Sequence, residues 1–144
     1  MFSCYTGLRI SDIKRITWAN ISEDLLSYVP MKKKKQNETV TVPLTLEKKY
    51  LPDFVPGPHP IFNVFSDPVS NRYLKEIADE VSIKKSITYH TSRHTFGTLM
   101  AQTGHLPETQ KMMGHGSIRT TMEYVHTSHD DIVKVKRQRF GLDT

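Results

Sequence analysis

The chain has 144 residues, 37% hydrophobic and 24% charged, which is apolar enough for one domain and too apolar for wholesale disorder. Lys and Arg number 20 against 15 Asp and Glu, a formal charge of +5 that favours a polyanionic partner. The lone cysteine, Cys4, excludes an internal disulfide framework and a multi-cysteine zinc site, and no apolar run approaches the roughly 20 residues that span a bilayer.

Met1 to Tyr5 shows neither the basic nor the apolar region of a signal peptide, so a cytoplasmic protein with no membrane partner is expected. Ile10, Ile13 and Ile16 recur at helical spacing with charges between them, after a turn at Thr6-Gly7. That helix begins so close to Met1 that the chain reads as a fragment. Leu25 to Met31 reads as a strand, and Thr39 to Val42 alternates with period two before Pro43 stops it. The polar stretch Lys32 to Glu38 between them has the composition of a hairpin tip.

From Pro52 to Pro68 five prolines and Gly57 mark a connection. Leu74, Ile77, Ala78 and Val81 then place an amphipathic helix over Asn71–Val81. Ser92–Thr103 reads as a second, with Phe96, Leu99 and Met100 on one face and Gly104 as its stop. Pro107 opens a short helix that Gly114 ends. Ser117 can cap another through Val125, and Asp130 a last, basic one. The fold class expected is mainly α with a small antiparallel β-sheet.

Four features can carry chemistry. Arg9 follows the Thr6-Gly7 turn, where it is either a solvated helix-start arginine or a phosphate ligand. Lys32, Lys33, Lys34 and Lys35 form a charge run, a solvated tip or a contact to a nucleic-acid backbone. His90 and Arg93 are three apart near a helix start and share a face if His90 lies in the first turn. His90 and His94 could share a metal, but there is no His-Glu-x-x-His pattern and no evident third ligand. His115 sits between Gly114 and Gly116, and Tyr124 follows nine residues later.

Together these residues suit one chemistry. Two arginines can grip a phosphodiester and stabilise the charge that develops at phosphorus. Histidines and a lysine can move protons to and from the reacting oxygens. A tyrosine hydroxyl, with an ordinary pKa of about 10, needs such cationic surroundings to act as a nucleophile. Neither a metal nor another cofactor is required.

The segments Thr6-Gly7-Leu8-Arg9-Ile10-Ser11-Asp12, His90-x-x-Arg93, Gly114-His115-x-Ser117 and Tyr124-x-His126, in this order, resemble the catalytic domain of tyrosine recombinases, the phage-integrase family. The resemblance covers about Phe2 to His126. It implies site-specific DNA recombination or integration through a covalent 3′-phosphotyrosyl intermediate, with double-stranded DNA as partner and self-association, a tetramer on DNA in the full-length enzyme. In that scheme Tyr124 is the nucleophile, Arg9 and Arg93 clamp the phosphate, His90 transfers a proton and His115 hydrogen-bonds the phosphate. The family's general-acid lysine falls among Lys32 to Lys35, with Lys32 favoured by the pattern Tyr-x-Pro-x-Lys.

The resemblance further implies that residues 1–144 are one catalytic domain without the N-terminal core-binding domain that completes the clamp around DNA. Type IB topoisomerases share the chemistry and are the nearest enzymatic alternative. A catalytically silent DNA-binding remnant is the alternative of another class.

Overall fold

A computed structural model describes residues 1–33 and 37–125. The helix suggested by the isoleucine spacing is present but short, and another short helix, not anticipated from the sequence, precedes Gly7. Gly7 has φ 67°, left-handed backbone that side-chain-bearing residues avoid, and it ends helix α1 (Phe2–Thr6) with its N–H on the Ser3 carbonyl at 3.0 Å. A Cβ here would also collide with the Phe96 ring. Arg9 is extended and α2 covers only Ile10–Ile13, although Leu8, Ile13 and Ile16 are all buried.

The sheet has three antiparallel strands in the order β1 (Ile21–Ser22), β2 (Leu25–Tyr28) and β3 (Val40–Pro43). Leu26 pairs with Val42 and Tyr28 with Val40, and all four are buried, as a two-residue period requires when one face is covered. Strand β1 is too short to show a period. Strand β2 stops at Tyr28, three residues before the expected end. Pro30 has no N–H for the ladder, and Met31–Lys33 turns into a 3-10 helix. Pro43 is the last residue of β3 and pairs with Leu25, a position an edge strand tolerates. Residues 34–36 of the expected hairpin tip lie outside the described residues.

A 3-10 helix at Leu46–Tyr50, not anticipated from the sequence, precedes the proline-rich connection. That connection ends at Ser66, because Pro68 belongs to the first turn of α3 (Asp67–Glu80), where a missing N–H costs nothing. The helix expected over Asn71–Val81 is therefore longer at its start. Its apolar stripe is only partly covered, since Ala78 is buried while Ile77 is 56% exposed.

Helix α4 (Tyr89–Gln102) begins three residues before Ser92. Thr88 and Thr91 form a capping box in which the Thr88 N–H donates to Thr91 Oγ1 at 3.0 Å, and this draws His90 into the first turn. The buried arc of α4 runs through Phe96, Arg93, Gly97 and Ala101. Leu99, expected beside Phe96, lies outside that arc and is 52% exposed. Helix α5 (Leu106–Met113) ends at Gly114, and α6 (Ile118–Met122) is capped by Ser117, whose Oγ accepts from the Arg119 N–H at 3.3 Å. It stops short of the expected Val125. The helix expected from Asp130 lies outside the described residues.

The mainly helical architecture with a small antiparallel sheet matches the fold class expected. Among the described residues two apolar clusters hold it together. One joins Leu8, Ile13, Ile16, Leu26 and Val42, and the other joins Phe96, Ala101, Met113 and Tyr124. No described helix is long and apolar enough to cross a membrane. Truncating Leu26 to Ala should cost about 2–5 kcal/mol in urea unfolding. Leu25→Ala, one residue away on the exposed face, should stay within about 0.5 kcal/mol.

Candidate active site

Arg93 projects from the first turns of α4 and is 2% exposed, so its charge needs partners inside the protein. Its Nη1 donates to the Gly7 carbonyl and its Nη2 to the Met113 carbonyl. One side chain thus joins the turn that ends α1, the body of α4 and the end of α5. Burial lowers its pKa to about 10, and the nearby Arg9 cation acts in the same direction.

Arg9 stands two residues beyond Gly7. Its Nη1 lies 3.9 Å from Asp12 Oδ2, an ion pair three residues apart on the chain, too long for a hydrogen bond. Arg9 Nη1 and Asp12 Oδ2 are both buried without a hydrogen-bond partner. Asp12 Oδ1 accepts from the Met31 N–H at 2.9 Å. The carboxylate therefore connects Arg9 to the start of the lysine segment. Sequence reasoning assigned Asp12 no task, although its three-residue spacing from Arg9 was an available signal. Tyr28 was missed as well. Its buried hydroxyl lacks a hydrogen-bond partner, and burial, followed by the Asp12 charge, raises its pKa.

Tyr124 follows α6 and is 7% exposed. It lies against Gly97 of α4, where a Cβ would sit 2.8 Å from the phenol ring. The His115 ring is nearly parallel to it, at 13° and 6.1 Å between centroids. His115 Nδ1 is 2.9 Å from Thr121 Oγ1, which ties the histidine to the helix preceding the tyrosine. Burial raises the Tyr124 pKa; Arg93 pulls it down, Glu123 pushes it up and Arg9 pulls it down again.

His90 lies on the surface one turn before His94, with ring centroids 4.7 Å apart. Its pKa is lowered by burial, and after that by His94, Arg93, Arg9 and Lys32. Lys32 is exposed in the 3-10 helix Met31–Lys33, close enough for its charge to be felt at His90. Lys34 and Lys35, two of its competitors, lie outside the described residues. Arg9, Arg93, His90, His115 and Tyr124 thus come from four separate stretches of chain to one place, with Lys32 at its edge. Among the described residues no three His, Cys, Asp or Glu side chains group as a metal site.

Known proteins resemble this chain in sequence and in fold. Residues 64–130 match the model of the phage integrase family. Tyrosine recombinase XerD of Staphylococcus aureus (strain Mu50 / ATCC 700699) is 29% identical over 150 aligned residues, covering 92% of this chain and 50% of that protein. The chain spans about half the length of the curated relatives it matches. The catalytic domain of bacteriophage HP1 integrase superposes with a TM-score of 0.67 at 22% identity, covering 96% of this chain and 77% of that one. The Tn1549 transposon integrase, in a structure with circular intermediate DNA, gives a TM-score of 0.70 at 18% identity, covering 95% and 56%.

Two outcomes follow from these contacts. A glycine in mid-helix normally gains stability on replacement by alanine, but Gly97→Ala should lose about 1–3 kcal/mol because its Cβ meets the Tyr124 ring. Adding Tyr124→Ala should relieve that loss in a double-mutant cycle. The lowered His90 pKa sets a sign for pH. Between the ordinary value of about 6.5 and the lower folded value, the unfolded chain binds more protons, so stability falls as pH drops through that window. Urea midpoints taken at about pH 7.5 and about pH 5.5 should fall further in the parent than in His90→Gln.

Proposed function

We propose that the chain is a member of the phage integrase family, whose model residues 64–130 match, and that it cuts and rejoins double-stranded DNA at specific sites through a covalent bond to Tyr124. The observation that carries this reading is the buried Arg9 Nη1, which faces Asp12 at 3.9 Å but has no hydrogen-bond acceptor, beside the buried Arg93 and a tyrosine flanked by two histidines. A donor held in place without a hydrogen bond is complementary to an oxygen that arrives with the substrate, and a phosphodiester supplies one.

In the proposed reaction Tyr124 Oη attacks the scissile phosphorus. A P–O bond to the phenol forms and the bond to the 5′-oxygen breaks, which leaves a 3′-phosphotyrosyl link. The raised pKa keeps the phenol protonated at neutral pH, so its proton has to leave as the new bond forms. His90, whose lowered pKa keeps the imidazole neutral, serves in that proton transfer. Arg9 and Arg93 take up the charge on the non-bridging oxygens, with His115 as a further hydrogen-bonding group. Lys32 protonates the departing 5′-oxygen. A 5′-hydroxyl from another strand reverses the sequence, so the energy of the phosphodiester is kept in the tyrosyl bond.

Asp12 orients rather than reacts. It accepts from the Met31 N–H and offsets part of the Arg9 charge, so the arginine and the lysine segment keep a common reference point. The reaction belongs in the cytoplasm, where the chain would meet double-stranded DNA. Exchange between two duplexes would further need self-association, with a tetramer formed by the full-length enzyme on DNA.

Covalent trapping tests the reading. With nicked duplexes of randomised sequence in EDTA, the short released strand diffuses away and cleaved complexes accumulate. The parent chain should yield a denaturation-resistant adduct that maps to Tyr124 and is absent in Tyr124→Phe. Arg9→Ala should slow its formation by about 100-fold to 1,000-fold, as loss of one preorganised donor does elsewhere. An adduct that persists in Tyr124→Phe would refute the assignment of the nucleophile.

A further inference from the structure

His94 has no task in the chemistry above, yet its ring stands between two that have one. Its centroid is 4.7 Å from that of His90 with the planes at 85°, and 5.4 Å from that of Tyr124 with the planes at 63°. Both are edge-to-face contacts, a geometry that aromatic pairs favour. The helix explains the alignment, because positions 90, 94 and 97 follow at i, i+4 and i+7 and share one stripe of α4. Gly97 leaves a floor on which the phenol rests, and His94, one turn earlier, stands at its edge.

Tyr124 is nearly buried although α6 has already ended at Met122. Its covering therefore comes from other elements, and His94, itself exposed, is a side chain that reaches it from α4. The contact with His90 on the other side makes the three rings a row, His90–His94–Tyr124. Loss of the middle ring would free the phenol to swing about its Cα–Cβ bond, and a displacement of about 1 Å at a reacting atom can cost about 100-fold in rate.

We propose that His94 is a positioning residue, a wall that holds the Tyr124 ring and the His90 ring in a fixed mutual arrangement. The inference rests on the reading of Tyr124 as nucleophile. It requires the ring of His94 and no proton transfer by it, so phenylalanine should be able to replace it.

The test has two arms. In the first, tyrosines are replaced throughout by 3-fluorotyrosine, and the Tyr124 fluorine resonance is assigned by its loss in Tyr124→Phe. His94→Ala should move that resonance, and an unmoved one overturns the inference whether or not the chain cleaves DNA. In the second, single-turnover adduct formation on a nicked duplex should slow by about 10-fold to 100-fold in His94→Ala, with the Kd for the same duplex unchanged. His94→Phe should restore most of the rate. A parent-like rate in His94→Ala, or a His94→Phe as slow as His94→Ala, overturns the inference while leaving Tyr124 as nucleophile. Absence of an adduct from the parent counts against the nucleophile itself, and the fluorine arm then decides whether the wall exists.

Discussion

The buried guanidinium of Arg93 is the interaction on which the site depends. It donates to the carbonyls of Gly7 and Met113, and these lie next to the two segments that carry Arg9 and His115. A charged group in the interior is tolerable only when its hydrogen bonds are made. Here the bonds that satisfy it also set the spacing of the other site residues. The remaining cost, visible as a pKa lowered to about 10 by burial and by Arg9, is the kind that an arriving anion offsets. Two like charges held together in the free protein are repelled less once a phosphate lies between them.

Tyr124 is placed by a related economy. Its ring is part of the apolar cluster with Phe96, Ala101 and Met113, so the residue proposed to react is also one that holds α4, α5 and α6 together. Packing fixes the ring, with Gly97 beneath it and His115 beside it. Packing also raises the phenol pKa, which works against nucleophilicity at neutral pH. The neighbouring arginines act the other way, so the same surroundings fix the ring and bring cations close to the phenol.

Much of the fold was legible because the signals were local. Pro107 and Gly114 bracket α5, the Val40–Val42 alternation marks β3, and Leu74, Ile77 and Ala78 mark α3. The errors fall where a local signal was ambiguous or the deciding contact was distant. Thr88 starts α4 through a capping box, whereas Ser92, a residue type that often caps helices, lies inside it. Pro68 looks like part of a loop until the helix that tolerates it is seen. Leu99 reads as a partner of Phe96, but the covered arc of α4 turns the other way, toward Arg93 and Gly97.

The identity of the candidate groups was likewise a property of the sequence. Arg9, His90, Arg93, His115 and Tyr124 stand in a pattern of residue types and spacings that suits phosphodiester chemistry, and the order of the motifs carries the family resemblance. The sequence left open which of four lysines takes part, because charge alone does not distinguish members of a run. The surroundings of Asp12, Tyr28 and His94 emerged only in three dimensions. An aspartate beside an arginine becomes informative when one buried atom of each, Asp12 Oδ2 and Arg9 Nη1, lacks a hydrogen-bond partner, and a histidine when its ring is found against a tyrosine thirty residues away in the chain. Residue types and their order determine what chemistry is possible. Only tertiary structure, by burying some groups and bringing others into contact, decides which of them are held ready for it.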